Sequence, residues 1–201
     1  MISDDRLSQQ VQFIVVVDKL KSVIRRTYLI SEDRRENTAE HSWQVALLAW
    51  LLAEYAEEHI DICRVGKMLL IHDIVEVEAG DTFIYDELNK VDQFEKEQIS
   101  AENLFGLLPD DQAVEMKALW HEFEARQTPE AKFAKSIDRL IPLLHNYYTE
   151  GKSWKKYGIS ADMVLYVCSP IQLGSEKLWE YAQNLIEDSV QQGFLAPPRS
   201  R

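Results

Sequence analysis

The first proline of the chain is Pro109, and before it only Gly66, Gly80 and Gly106 interrupt the backbone. Proline and glycine are the strongest breakers of regular structure, so the first half of the chain is free to run as long helices. Strand signals are missing. No two alternating Val/Ile/Thr runs are joined by an Asn-Gly or Asp-Gly turn, and Phe13 to Val17 is the one β-looking stretch. Its flanks, Leu7, Val11, Leu20 and Ile24, continue at helical spacing, which predicts a helix from about Ser8 to Ile24. The expected class is all-α.

Local signals place the other helices. Asn37 followed by Glu40 has the form of a capping box, and Trp43, Ala46, Leu47, Trp50 and Leu51 then recur at three and four, predicting a helix to about Glu58. Asp61 can cap a third helix, with Val65, Met68, Leu69 and His72 on one face and Gly80 as its stop. A fourth is expected from Asn89 to Phe105, and a fifth from Asp110 or Asp111 to about Arg126. Thr128-Pro129-Glu130 is a strong helix start, and the helix that follows carries Phe133, Ile137 and Leu140, with Pro142 kinking or ending a segment. Ser169-Pro170 opens a last helix to about Gln192, and Ala196-Pro197-Pro198 reads as an unstructured tail.

Charge narrows the function classes. With 34 Asp+Glu against 22 Lys+Arg in 201 residues, the formal net charge is −12, which argues against a nucleic-acid polymer or an anionic lipid surface as main partner. The longest uninterrupted apolar run, Val45 to Ala53, is far too short for a membrane span. The acidic start Met1-Ile2-Ser3-Asp4-Asp5 does not resemble a signal peptide, so a cytoplasmic protein is expected. Cys63 and Cys168 belong to no CxxC or Cys/His cluster and are read as buried thiols.

Chemistry concentrates around one dipeptide. His72-Asp73 directly follows Met68-Leu69-Leu70-Ile71, and an ionised carboxylate in such surroundings costs several kcal/mol unless it meets a cation or an arginine. The plain alternative is a satisfied core histidine beside a solvated Asp. Glu76 is four residues after His72 and three after Asp73, hence on the same face of a continuing helix, and Asp81 follows Gly80. His41 sits in the first turn or so of the Trp-rich helix, and Asp138 interrupts an apolar face between Ile137 and Leu140.

Taken in order, Glu36-Asn37-Thr38-Ala39-Glu40-His41-Ser42, His72-Asp73 with Glu76, Gly80-Asp81, and Asp138 resemble the HD-domain metal-dependent phosphohydrolases, most closely the branch containing the 5'-deoxynucleotidases. The resemblance covers roughly Leu20 to Tyr147. It implies a single-domain HD-domain helical bundle over residues 1–195, with a motif core at about 20–147, the metal site between helices and a flexible tail at 196–201. It further implies that His41, His72, Asp73 and Asp138 bind one divalent metal, and that Glu76 and Asp81 match the family's acid/base glutamate and second loop acid. Two imidazoles and two carboxylates suit Mn²⁺, Co²⁺, Zn²⁺, Fe²⁺ or Mg²⁺. A small-molecule nucleotide substrate and a homodimer are family expectations, with Trp179, Tyr181 and Leu185 either core or a two-fold interface.

A phosphate also needs cations. Residues 19–35 hold Lys19, Lys21, Arg25, Arg26, Arg34 and Arg35 against Glu32 and Asp33, a local excess of +4 in an acidic chain. The family places an arginine after a stretch like Leu20-Lys21-Ser22-Val23, which selects Arg25; a one-residue gap before His41 would select Arg26 instead, and a solvated basic face is the plain alternative. The family's aromatic after that arginine is absent here, where Thr27 and Tyr28 follow. Among the other histidines, His59 and His121 are read as surface residues and His145 is given no role. The leading expectation is removal of the 5'-phosphate from a deoxynucleoside monophosphate. The rivals are a phosphodiesterase or nucleoside-triphosphate hydrolase of the same superfamily, and a non-enzymatic helical module that keeps the scaffold.

Overall fold

A computed structural model describes residues 6–86 and 90–199. Helices α1 (Arg6–Val17), α2 (Thr38–Leu52), α3 (Ile62–Ile71), α4 (Glu76–Ala79), α5 (Lys90–Phe105), α6 (Asp110–Ala125), α7 (Pro129–Tyr148), α8 (Lys152–Tyr157), α9 (Ala161–Cys168), α10 (Ile171–Gly174) and α11 (Glu176–Gln191) make up most of the described chain. The expected start of α5 at Asn89 lies outside the described residues.

The caps explain where several helices begin. Asn37 Oδ1 accepts from the Glu40 amide at 2.9 Å while Glu40 Oε2 accepts from the Asn37 amide at 2.9 Å, the reciprocal pair that starts α2. Asp61 Oδ1 accepts from the amides of Cys63 and Arg64 to start α3. Thr128 Oγ1 accepts from the Ala131 amide ahead of Pro129, and α7 then runs through Pro142 to Tyr148. Proline has no N–H for the carbonyl four residues back, so the hydrogen bond missing from α7 falls at Asp138.

α7 is the axis of the core. It buries Phe133, Ala134, Ile137, Leu140, Ile141 and Leu143 against α2, α3, α6 and α10. The approach of α10 is close enough that a Cβ on Gly174 would stand 2.6 Å from the Lys132 carbonyl oxygen, which is why glycine is needed there.

Several boundaries differ from the sequence reading. The first helix stops at Val17, a 3₁₀ turn covers Asp18–Ser22, and Ile24–Tyr28 (β1) pairs antiparallel with Arg35–Asn37 (β2), so the chain is not wholly without strands. The loop between them has no tight-turn signature to betray a hairpin, and the pairing is anchored by the Thr38 amide donating to the Val23 carbonyl at 3.0 Å. α2 ends at Leu52 rather than near Glu58. α3 ends at Ile71, and Glu76 and Val77 donate to carbonyls only three residues back, so α4 is a separate turn and not a continuation to Gly80. The expected last helix is two, split at Ser175, whose hydroxyl caps α11 by accepting from the Leu178 amide. The tail is held at Ala196, whose carbonyl accepts from the Ala161 amide at 2.9 Å, and at Arg199, whose amide donates to Asp162.

Surface and core also redistribute. Cys63 is exposed while Cys168 is buried. α2 buries His41, Ser42, Val45 and Ala49, and its apolar stripe faces outward: Trp43 is 63%, Leu47 44%, Trp50 62% and Leu51 65% exposed. Apolar residues on both sides of α2 leave periodicity unable to say which side is core. Leu185 is buried and Trp179 packs against the core, while Tyr181 is exposed, so only part of that stretch of α11 is core.

Candidate metal centre

Four side chains from three elements meet at one point. His41 comes from the first turn of α2, His72 and Asp73 from the turn that ends α3, and Asp138 from the middle of α7. His41 Nε2 lies 3.1 Å from Asp138 Oδ1 and 3.7 Å from Asp73 Oδ2. His72 Nε2 lies 3.1 Å from Asp73 Oδ1 and 3.5 Å from Asp138 Oδ1. The ligand atoms of His41, His72 and Asp73 all fall within 4.8 Å of one another.

The donor set fits a divalent cation. His72 Nδ1 sits 2.8 Å from the Leu69 carbonyl, which fixes that nitrogen as the donor and turns Nε2 to the centre, where it is buried and makes no hydrogen bond. A buried imidazole nitrogen without a partner, facing two carboxylates, is the arrangement that a cation completes. Trp120 fixes the same turn by donating Nε1–H to the His72 carbonyl at 3.1 Å.

The electrostatics follow from crowding. Burial disfavours a charged His72, but Asp73 and Asp138 outweigh it and raise the imidazole to about 10. Burial would raise Asp138, yet Lys135 and Arg139 hold it well below the ordinary carboxylate range; Lys135 Nζ lies 2.9 Å and Arg139 Nη1 3.3 Å from its Oδ2. Asp73 is likewise lowered despite burial, by His72 and Arg25. Glu76 moves the other way: burial first, then the neighbouring Asp73, push its carboxyl well above the ordinary value. Thr38 donates its hydroxyl to Glu76 Oε2 at 2.9 Å and fixes the group at the rim of the site. Asp81 is raised by burial as well.

The two arginines separate because β1 is extended and successive side chains alternate. Arg25 turns to the acids, with Nη1 2.8 Å from Asp73 Oδ2, 3.8 Å from Asp81 Oδ1 and 3.9 Å from Glu76 Oε1. Arg26 turns away, its guanidinium carbon 4.8 Å from the Phe83 ring centre and 5.1 Å from that of Tyr157. Both border a cavity of about 540 Å³ that also touches His72, Asp73, Glu76, Asp81 and Asp138 and continues past Phe83, Tyr85 and Trp154. That volume is in the range of small-molecule sites.

The structure thus brings His41, His72, Asp73, Asp138, Glu76, Asp81 and Arg25 together and sets Arg26 to one side. His59 and His121 are exposed. His145 is buried, with Nε2 2.9 Å from Gln44 Oε1 and Nδ1 3.6 Å from Glu36 Oε2, and burial lowers its imidazole. Sequence reasoning assigns no role to Glu36, Thr38 or Lys135. Only Lys135 carries a local signal, its spacing of three from Asp138 on one helix.

Residues 17–179 match the HD domain family. The chain belongs to that family. A 5'-deoxynucleotidase of Xenopus laevis, HDDC2, is 33% identical over 134 residues, which are 66% of this chain and 65% of that protein. Human HDDC2, also a 5'-deoxynucleotidase, is 28% identical over the same length, covering 64% of it. The chain therefore spans somewhat less than two thirds of the length of these relatives. Among solved structures, a predicted metal-dependent phosphohydrolase from Magnetospirillum magnetotacticum is 53% identical with a TM-score of 0.90, over 96% of this chain and 99% of that one. The HD-domain protein YGK1, 18% identical with a TM-score of 0.61 over 94% of this chain and 89% of that one, shares the fold.

Proposed function

We propose that this HD-domain chain is a phosphohydrolase that uses one divalent cation to remove the 5'-phosphate of a deoxynucleoside monophosphate. The observation that carries the reading is the convergence of His41, His72, Asp73 and Asp138 on one point, with Arg25 beside it and next to Glu76, whose carboxyl is pushed by burial well above its ordinary value. The names of the relatives supply the substrate class. His41, His72, Asp73 and Asp138 would hold the cation, Mn²⁺, Co²⁺, Zn²⁺, Fe²⁺ or Mg²⁺, which supplies Lewis acidity toward the phosphate when bound.

The chain's own groups do the rest. Arg25, charged and aimed at the acids, offers a planar fork to the phosphate oxygens. As water attacks phosphorus and the bond to the ribose 5'-oxygen breaks, Glu76 gives its proton to that departing oxygen, and the proton shed by the water restores the carboxyl. Asp81, beside Arg25, balances the arginine until the phosphate arrives. The apolar walls past Phe83 and Tyr85 exclude water from the nucleoside end.

Cytoplasmic residence and a homodimer belong to the same proposal. Among the described residues no helix is long and apolar enough to cross a membrane. The outward stripe of α2 is free of charge from Ser42 to Ala53, so two copies of a chain at −12 can meet there without like charges in direct contact. Trp43 and Trp50 together leave on the order of 300 Å² uncovered, a large part of the roughly 800 Å² that each partner covers in a standard interface.

The test is a release assay over all ribo- and deoxyribonucleoside monophosphates with several added metals. Inorganic phosphate from deoxynucleotides is the expected product. Turnover confined to diesters, or pyrophosphate or triphosphate released from nucleoside triphosphates, would replace the reading with one of its superfamily rivals.

A further inference from the structure

We propose that Glu36 is the positioning residue that ties the phosphate clamp to the metal site, holding Arg25 with one edge of its carboxyl group and steadying the imidazole of His41 with the same edge. The inference rests on the proposed function only in taking Arg25 as a phosphate ligand and His41 as a metal ligand.

Glu36 is fully buried, with no exposed surface, and it is not part of the cavity wall. Its Oε1 meets Arg25 Nε at 3.4 Å, faces His41 Nδ1 at 3.9 Å and accepts a hydrogen bond from the Thr27 hydroxyl. Its Oε2 is buried without a hydrogen bond, and so are Arg25 Nε and His41 Nδ1. Orphaned polar atoms in a native interior call for an explanation: Arg25 Nε and His41 Nδ1 both face Glu36 Oε1, while Glu36 Oε2 faces the equally unpartnered His145 Nδ1 at 3.6 Å.

The geometry gives Glu36 a task that no other acid near Arg25 can perform. Arg25 has four acidic neighbours, and Asp73, Glu76 and Asp81 reach it from the cavity side through Nη1. Those three are the groups that a cation and a substrate would engage. Glu36 reaches Arg25 from behind, through Nε, and keeps its contact whatever occupies the cavity. A guanidinium anchored at Nε presents its two terminal nitrogens in a fixed plane, which two-pronged phosphate binding requires.

His41 needs a partner at Nδ1, as a ligating imidazole does. Nε2 faces Asp73 and Asp138, so the proton belongs on Nδ1, and a carboxyl group on that side fixes the tautomer and the ring plane. A closure of about 1 Å brings Glu36 Oε1 from 3.9 Å to hydrogen-bond distance of Nδ1. Thr27 and Glu36 face each other across the β1–β2 pair, so the hairpin is the element that sets this carboxyl between its two dependants.

The experiment is a double-mutant cycle on the whole chain with two probes, Mn²⁺ alone and inorganic phosphate added to the Mn²⁺-loaded protein. Glu36→Gln, with its helical circular dichroism and cooperative melt intact, is expected to weaken Mn²⁺ by roughly 10–100-fold, the usual cost of losing such a support. It is also expected to weaken phosphate by about tenfold, as Arg25→Lys does, and the double variant should bind phosphate no worse than Arg25→Lys alone. Additive phosphate losses, or loss of only one of the two affinities, would overturn the proposal, since one carboxyl is to serve both. If Glu36→Gln does not fold, Thr27→Val decides: it removes the hydroxyl that holds Oε1, and both affinities should fall in the same direction by less. No change in either would sink the idea. Neither probe is a nucleotide, so a chain that passes this test and cleaves no monophosphate would refute the proposed function and leave the role of Glu36 standing.

Discussion

His41 and Asp138 lie 97 residues apart in the chain, yet His41 Nε2 and Asp138 Oδ1 meet at 3.1 Å in a fully buried contact. Like charges from Asp73 crowd the same point, and Lys135 and Arg139 occupy only the other oxygen of Asp138, so Oδ1 stays turned to the centre. Asp138→Asn keeps the shape and removes the charge. Metal affinity should fall by more than the roughly 100-fold upper range seen for supporting groups, with the helical signal unchanged. Titration with Mn²⁺ followed by circular dichroism measures both, and an unaltered affinity would remove Asp138 from the ligand set.

Glu76 and Thr38 should separate chemistry from binding. Glu76→Gln keeps a side chain of the same size that cannot supply the proton, so the rate should drop by roughly 10²–10⁴ while bound metal stays stoichiometric. Thr38→Val leaves the carboxyl but deletes the 2.9 Å hydrogen bond that orients it, and a loss of about threefold to tenfold in kcat is expected. Metal analysis beside single-turnover kinetics decides, and metal loss in Glu76→Gln would make Glu76 a ligand instead.

These residues were unequally legible in the sequence, for physical reasons. Caps are local: Asn37 with Glu40, Asp61, and Thr128 with Pro129 pair groups within three residues, and each starts its helix where expected. His41, His72-Asp73 and Asp138 were readable only as an ordered set, through its resemblance to the HD-domain phosphohydrolases, since each alone is a weak signal; the fold does bring the four side chains together. Glu36 was not, because its partners Thr27, Arg25 and His145 come together only when the hairpin packs on α7. The break after Ile71 was hidden for a related reason. A 3₁₀-like turn keeps Glu76 near the doublet, where a continuing helix would also have placed it.

The thiols provide a check on burial that needs no substrate. Burial pushes the Cys168 thiol up to about 12, with Arg139 opposing only in part, so at pH 8 it stays protonated and inert. Cys63 is exposed. A disulfide reagent at pH 8 should therefore label one thiol quickly and the second only on unfolding, with Cys63→Ser abolishing the fast phase. Two equally fast thiols would contradict the packing of α9.

Trp43 and Leu47 test the outward face of α2. Neither lines the cavity, and both are exposed, so Trp43→Glu with Leu47→Glu should leave the fold in place. The two added charges would face their own copies across a two-fold contact, where like charges are unfavourable. Light scattering should give twice the monomer mass for the parent chain and the monomer mass for the variant. A parent that is monomeric at tens of micromolar would dispose of the dimer.

The last test concerns the pair of arginines that periodicity could not separate. Because β1 is a strand, Arg25 and Arg26 point to opposite sides, and the structure gives them different company: four carboxyl groups for Arg25, the rings of Phe83 and Tyr157 for Arg26. Lysine in place of Arg25 keeps a positive charge but loses both the Nε contact to Glu36 and the fork. Arg25→Lys should then lower kcat/KM for a deoxynucleoside monophosphate by more than about tenfold. Arg26→Lys loses a flat stacking surface at the cavity mouth, and since a lysine ammonium also sits well over an aromatic ring, the cost there should be no more than about threefold. Both variants are to be assayed at one salt concentration, because surface charge is screened and a buried clamp is not. Equal small losses would mean that the phosphate is held elsewhere; a larger loss at Arg26 would move the clamp to the aromatic side of the strand.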